Sequence, residues 1–118
     1  MPSEPIFLHV GLPKTGTTEL QKMLWENRSR LAEIGVVYPG DDRGVHYRAA
    51  LDVLGSRSAR QPGAWASLVE KAKASPGRVV LSHEMLAAAD AEVTARIAAD
   101  LAPRDLHVVV TLRDFSRI

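Results

Sequence analysis

Residues 11 to 18 read Gly-Leu-Pro-Lys-Thr-Gly-Thr-Thr, a stretch that holds a cation and a hydroxyl between two glycines and places two more hydroxyls directly after them. Gly11 and Gly16 let backbone N–H groups turn inward around tetrahedral oxygens, and Lys14 adds a mobile full charge. Thr15 contributes a hydroxyl inside the turn, while Thr17 and Thr18 open a helical pattern whose positive end favours negative charge. An anion is the expected occupant. Nucleoside triphosphatases carry lysine after the second glycine and an acidic strand end that holds Mg²⁺. Here Thr17 takes the lysine position, and two later apolar runs end in Ser82-His83-Glu84 and Leu112-Arg113-Asp114. Those run ends supply an ionisable pair and a planar guanidinium suited to a phosphate monoester. Each residue also has a plainer use: threonines cap helices, Arg113 can pair with Asp114, and His83 and Glu84 can simply end a strand.

These groups act together only if the fold gathers them. Ile6 to Val10 is a β-rich apolar run that meets a glycine, as a buried strand feeding a tight turn would. From Thr17, residues Leu20, Met23, Leu24, Leu31 and Ile34 recur at helical spacing until Gly35. Val36-Val37-Tyr38 reads as a short strand whose place in a sheet is open. His46 to Leu54 reads as a helix with Tyr47, Ala50, Leu51 and Leu54 on one side, ended by Gly55 and followed by a polar loop over 56–63. A further helix spans Ala64 to Ala74, with Trp65, Leu68, Val69 and Ala72 on one face. Arg78 to Ser82 and His107 to Leu112 are strand signals, and between them Asp90 caps a helix carrying Val93, Ile97 and Leu101 up to Pro103. Alternating strands and helices imply a helix-flanked parallel sheet of about three to four strands. Ligands bind such a sheet outside the carboxyl ends of its strands. The glycine turn, Ser82-His83-Glu84 and Arg113 are thereby expected on one edge.

With 118 residues, 46% of them hydrophobic, the chain reads as one α/β domain. Fifteen Lys and Arg against 14 Asp and Glu leave a net charge of +1, which gives no global reason to expect nucleic acid as a partner. The absence of cysteine excludes disulfides and thiolate chemistry and fits a cytoplasmic location. No apolar run is long enough to span a membrane. No metal-ligand constellation stands out. His9 and His107, inside strand signals, read as hydrogen-bonded structural histidines, and Trp25 and Trp65 as core or interface. His46-Tyr47-Arg48 reads either as a segment reaching over an acceptor or as a solvated loop. Arg43, Arg48, Arg57 and Arg60 form a basic tract facing an anionic acceptor or simply solvent.

Gly11-Leu-Pro-Lys-Thr-Gly-Thr-Thr18 resembles the 5′-phosphosulfate-binding loop of sulfotransferases that use 3′-phosphoadenosine 5′-phosphosulfate (PAPS). Thr111-Leu112-Arg113-Asp114 looks like the start of that family's 3′-phosphate motif. Ser82-His83-Glu84 is similar to the strand end that supplies the catalytic carboxylate in members acting on glycans, glycolipids and tyrosyl proteins. The resemblance implies a P-loop NTPase-like three-layer fold and sulfuryl transfer from PAPS to a hydroxyl or amine acceptor, without a metal. It assigns Lys14, Thr15, Gly16, Thr17, Thr18 and Arg113 to the co-substrate, with Lys14 also neutralising charge on the leaving phosphate. Glu84 is the candidate general base and His83 its competitor. Acceptors implied are a small molecule, a glycan or a glycolipid. The family's motif carries a serine about two helical turns after its arginine, and Ser116 is too close to Arg113 to fill that position, so residues 1–118 are expected to be the N-terminal part of such a domain. A sheet incomplete in this way is expected to self-associate through its uncovered surface, and to lack part of the co-substrate site. Two other functions fit the residues: a small P-loop kinase for nucleotides or metabolites, and a non-catalytic remnant that binds phosphoadenosine or a partner chain.

Overall fold

The structure, a computed structural model, describes residues 4–11, 17–55, 62–83, 86 and 88–111, with Thr17 and Thr18 described by their backbone. The elements run β1 (Ile6–Gly11), α1 (Thr17–Glu26), α2 (Arg28–Glu33), β2 (Val36–Val37), α3 (Val45–Val53), α4 (Ala64–Ala74), β3 (Arg78–Ser82), α5 (Ala91–Leu101) and β4 (Leu106–Thr111). Four strands form one all-parallel sheet in the order β2-β3-β1-β4. The chain is therefore α/β, with helices in every connection between successive strands. The connection from β1 to β2 runs one way across the sheet, and those from β2 to β3 and from β3 to β4 run the other way. Right-handed crossovers then put α1 and α2 on one face and α3, α4 and α5 on the other.

Side-chain burial agrees with that division. Ile6 and Leu8 of β1 and Val79 and Leu81 of β3 point to one face and pack with Ala49, Ala50 and Val53 of α3, Trp65, Leu68 and Ala72 of α4, and Ile97 and Leu101 of α5. Among the described side chains, α1 and α2 contribute none to this cluster. The expected faces of α4 and α5 hold. That of α3 holds in part: Ala50 and Leu51 are buried and Leu54 packs on the core, but the buried stripe also takes in His46, Ala49 and Val53, and Tyr47 is exposed. A histidine leads the buried stripe, which hydrophobic periodicity alone does not indicate. The single helix expected from Thr17 to Ile34 is broken at Asn27, whose side-chain amide donates to the Met23 carbonyl that its own backbone N–H also bonds. Asp90 caps α5 as its position predicts, accepting from the Val93 N–H at 2.9 Å. Trp65 is core, with its indole N–H donating to Asp100 at 2.8 Å.

The short strand Val36–Val37 finds its place at the sheet edge beside the start of β3. At the opposite edge β4 leaves Val108, Val109 and Val110 exposed. Among the described residues no helix is long and apolar enough to cross a membrane.

The entrances to β2 and β3 touch at two glycines. Gly77 has φ +94°, and a Cβ there would meet the Gly35 carbonyl oxygen at 2.6 Å, whereas Gly55 at φ +73° has open space around it. Gly77→Ala should thus cost roughly 2–3 kcal/mol, combining left-handed backbone strain with a backbone clash, and Gly55→Ala only about 1 kcal/mol. Equal shifts of the two denaturation midpoints would refute this packing.

Candidate functional site at the carboxyl edge

Parallel pairing collects the carboxyl ends of all four strands on one edge. Gly11, the last residue of β1, stands in register with Thr111, the last of β4, and His9 stands in register with Ser82, the last of β3. Helix α1 begins at Thr17 in the connection that leaves Gly11. Thr17 and Thr18 are its first two residues, so their backbone amides belong to the turn whose N–H groups have no partner within the helix. Lys14, Thr15 and Gly16, and likewise Glu84 and Arg113, lie outside the described residues. Each is joined to this edge by sequence: the first three between Gly11 and Thr17, Glu84 next to His83, and Arg113 two residues past Thr111.

His83 leaves β3 half-buried, its backbone N–H donating to the His9 carbonyl at 3.3 Å and its ring 5.1 Å from that of Tyr47. Tyr47 is on the first turn of α3, so this segment does reach the edge that carries His83. The solvated-loop alternative for His46-Tyr47-Arg48 is corrected: His46 is 5% exposed and Arg48 is held by Asp42 through two hydrogen bonds of 2.8 and 2.7 Å. Those bonds, with one from the Gly44 N–H, hold the Asp42 carboxyl below its ordinary range. The basic tract accordingly has Arg48 engaged with Asp42, while Arg57 and Arg60 lie outside the described residues.

Beneath the edge runs a hydrogen-bonded string that the sequence does not announce. His46 donates from Nε2 to the Pro39 carbonyl at 2.7 Å and accepts at Nδ1 from the Ser82 backbone N–H at 3.2 Å. These partners require the neutral ring with its proton on Nε2. Burial pushes His46 down to about 4, against the raising effect of the Pro39 bond and with a smaller lowering effect from His83. Tyr38 stacks on this ring at 4.1 Å, and burial pushes its phenol up to about 12. The reason for His46 lies in the shortness of β2. The Ser82 N–H faces the side of β3 turned away from β1, past the end of the two-residue β2, so it has no ladder partner and the imidazole supplies one.

The string continues across the sheet. On the face opposite Ile6 and Leu8, His9 meets Ser82 Oγ at 2.8 Å through Nδ1 and Thr111 Oγ1 at 3.1 Å through Nε2. The structural role expected for His9 is what the geometry shows, and burial lowers its basicity. His107 is exposed, tilted against Phe7 at 5.3 Å. The only sequence signal for the string was polar residues at the ends of apolar strands. Chemically the edge offers backbone amides at the α1 N-terminus and the imidazole of His83, above the Ser82 and Thr111 hydroxyls that bond His9. Among the described residues no group of three or more His, Asp or Glu side chains is placed to hold a metal ion. Comparison of the chain with protein-family models, curated proteins and solved structures found no match.

Proposed function

We propose that this chain is a sulfotransferase domain with a P-loop-type fold, in which the carboxyl edge receives PAPS and an acceptor hydroxyl. The observation that carries this reading is the strand order. It sets the strand-turn-helix unit of β1 and α1 between the Ser82-His83 exit and the Thr111 exit, so the three stretches that resemble the family's motifs leave one edge. The described residues fit such a ligand: the first turn of α1 offers backbone amides that have no partner within the helix.

When bound, PAPS supplies the sulfuryl group, the acceptor oxygen forming a bond to sulfur as the bond from sulfur to the 5′-phosphate oxygen breaks. The α1 amides with Thr15, Thr17 and Thr18 hold the 5′-phosphate, and Lys14 neutralises the charge that grows on its departing oxygen. Glu84, or His83 in its stead, takes the acceptor proton. Arg113 grips the 3′-phosphate with its planar fork.

Titration with 3′,5′-phosphoadenosine, 5′-AMP and ATP with and without Mg²⁺ tests this reading. The doubly phosphorylated adenosine should bind tightest, without Mg²⁺. Lys14→Ala should weaken it by about 10- to 100-fold, the range for lost hydrogen bonds to a charged group. Arg113→Ala should weaken phosphoadenosine by about tenfold and leave 5′-AMP almost unaltered. Preference for Mg²⁺-ATP would instead favour the kinase reading. Equal losses for both ligands in Arg113→Ala would remove that residue from the 3′-phosphate.

A further inference from the structure

We propose that His9 is a positioning residue that sets the separation of the β3 and β4 exits on either side of β1. This goes one step past the function proposed above and rests on it only for the choice of ligand. An imidazole with 4% exposure on an interior strand is an uneconomical choice if packing alone is required, since an apolar β-branched residue would fill the site without needing two polar partners. Here both ring nitrogens are used, at 2.8 Å to Ser82 Oγ and 3.1 Å to Thr111 Oγ1. Those partners are the last residues of the two flanking strands. They immediately precede His83 on one side and the segment bearing Arg113 on the other.

Ser82 is held further by its main chain. Its N–H goes to His46, and its carbonyl accepts a long 3.4 Å bond from the Gln21 side chain of α1. Side chains from β1, α1 and α3 thus converge on the residue that launches His83-Glu84. Ladder bonds fix strand spacing but leave side-chain direction at a strand end free, and this cross-sheet bridge removes that freedom. The hydroxyls can each donate or accept, so the bridge forms with either neutral tautomer of His9.

The test compares His9→Val, His9→Asn and Thr111→Val with the parent chain by thermal unfolding, by hydrogen exchange and by titration with 3′,5′-phosphoadenosine. Thr111→Val is included because it removes one hydroxyl while keeping a shape that β-strands favour, so it folds even if His9→Val does not. Amides at positions 83 and 111 should exchange at least about tenfold faster in His9→Val and Thr111→Val, with amides at Val79 and Val80 unchanged. Phosphoadenosine affinity should fall by about tenfold in each, the scale of one lost hydrogen bond. The double variant should lose no more than His9→Val alone, since both act through one bridge. His9→Asn, whose amide reaches Ser82 but is too short for Thr111, should recover the slow exchange at position 83 and not at position 111. Unchanged exchange at both exits, or a uniform rise tracking a lower unfolding temperature, overturns the proposal. Should the parent chain bind no phosphoadenosine, the functional reading fails, and the exchange pattern alone decides the role of His9.

Discussion

Glu84→Gln should lower sulfuryl transfer from PAPS by about 10²- to 10⁴-fold if Glu84 is the proposed base, the span associated with losing a general base, while phosphoadenosine affinity stays as it was. The amide keeps the shape of the side chain but cannot accept the acceptor's proton. His83→Ala should cost far less if the alternation of β3 continues past Ser82, since adjacent residues then point to opposite sides and only one of the pair can face the acceptor. The ring of His83 already lies beside Tyr47, 5.1 Å away, on the side of α3. The measurement is transfer of labelled sulfate, with nucleotide affinity determined in parallel. Loss of transfer in His83→Ala with transfer intact in Glu84→Gln reverses the assignment and makes the histidine the base.

Arg104→Met should be among the most destabilising substitutions in this chain, lowering the free energy of unfolding by about 3 kcal/mol or more. Arg104 is 6% exposed, and its guanidinium donates only to main-chain carbonyls: Nε to Glu4, Nη1 to Ala72, Lys73 and Ser75, and Nη2 to Gly77, at distances from 2.7 to 3.3 Å. It joins the segment before β1, the end of α4 and the turn into β3 to the approach to β4. Methionine keeps much of the aliphatic volume but leaves those oxygens without a donor. Arg104→Lys should rescue little, since one ammonium with three protons cannot reproduce the planar fork. By contrast, Arg48→Ala removes an exposed pair with Asp42 and should change stability very little. Denaturant midpoints at constant slope give the comparison, and a similar midpoint for Arg104→Met and Arg48→Ala would dismiss the clamp.

Local order is what the amino-acid sequence by itself determined. The bounds of α4 and β3 follow from apolar periodicity and flanking turn residues, and the Asp90 cap follows from a carboxylate three residues before the amide it accepts. Alternation of strands with helices implied a parallel sheet, and the rule for its carboxyl edge led the glycine turn, Ser82-His83-Glu84 and the strand before Arg113 to one edge, where the strand ends Gly11, Ser82 and Thr111 stand. All of these rest on interactions within one turn, one strand or one connection.

Only the tertiary structure decided which strands are neighbours. Val36-Val37 is too short to declare its partner, and its pairing with Arg78 and Val79 depends on a 40-residue crossover, roughly the scale of a whole βαβ unit. Three polar residues change meaning as a result. Nothing in the residues around Arg104 points to its acceptors, which converge from segments about 30 and 100 residues away. His46 heads an expected helix and reads either as reaching over an acceptor or as solvated, yet the early end of β2 leaves the Ser82 amide for it to satisfy. His9 reads as a lone strand histidine, yet its two hydroxyl partners lie 73 and 102 residues away in sequence. A buried polar group is tolerated only where its partners are supplied, and the supply here comes from register between distant strands, which composition and periodicity do not encode.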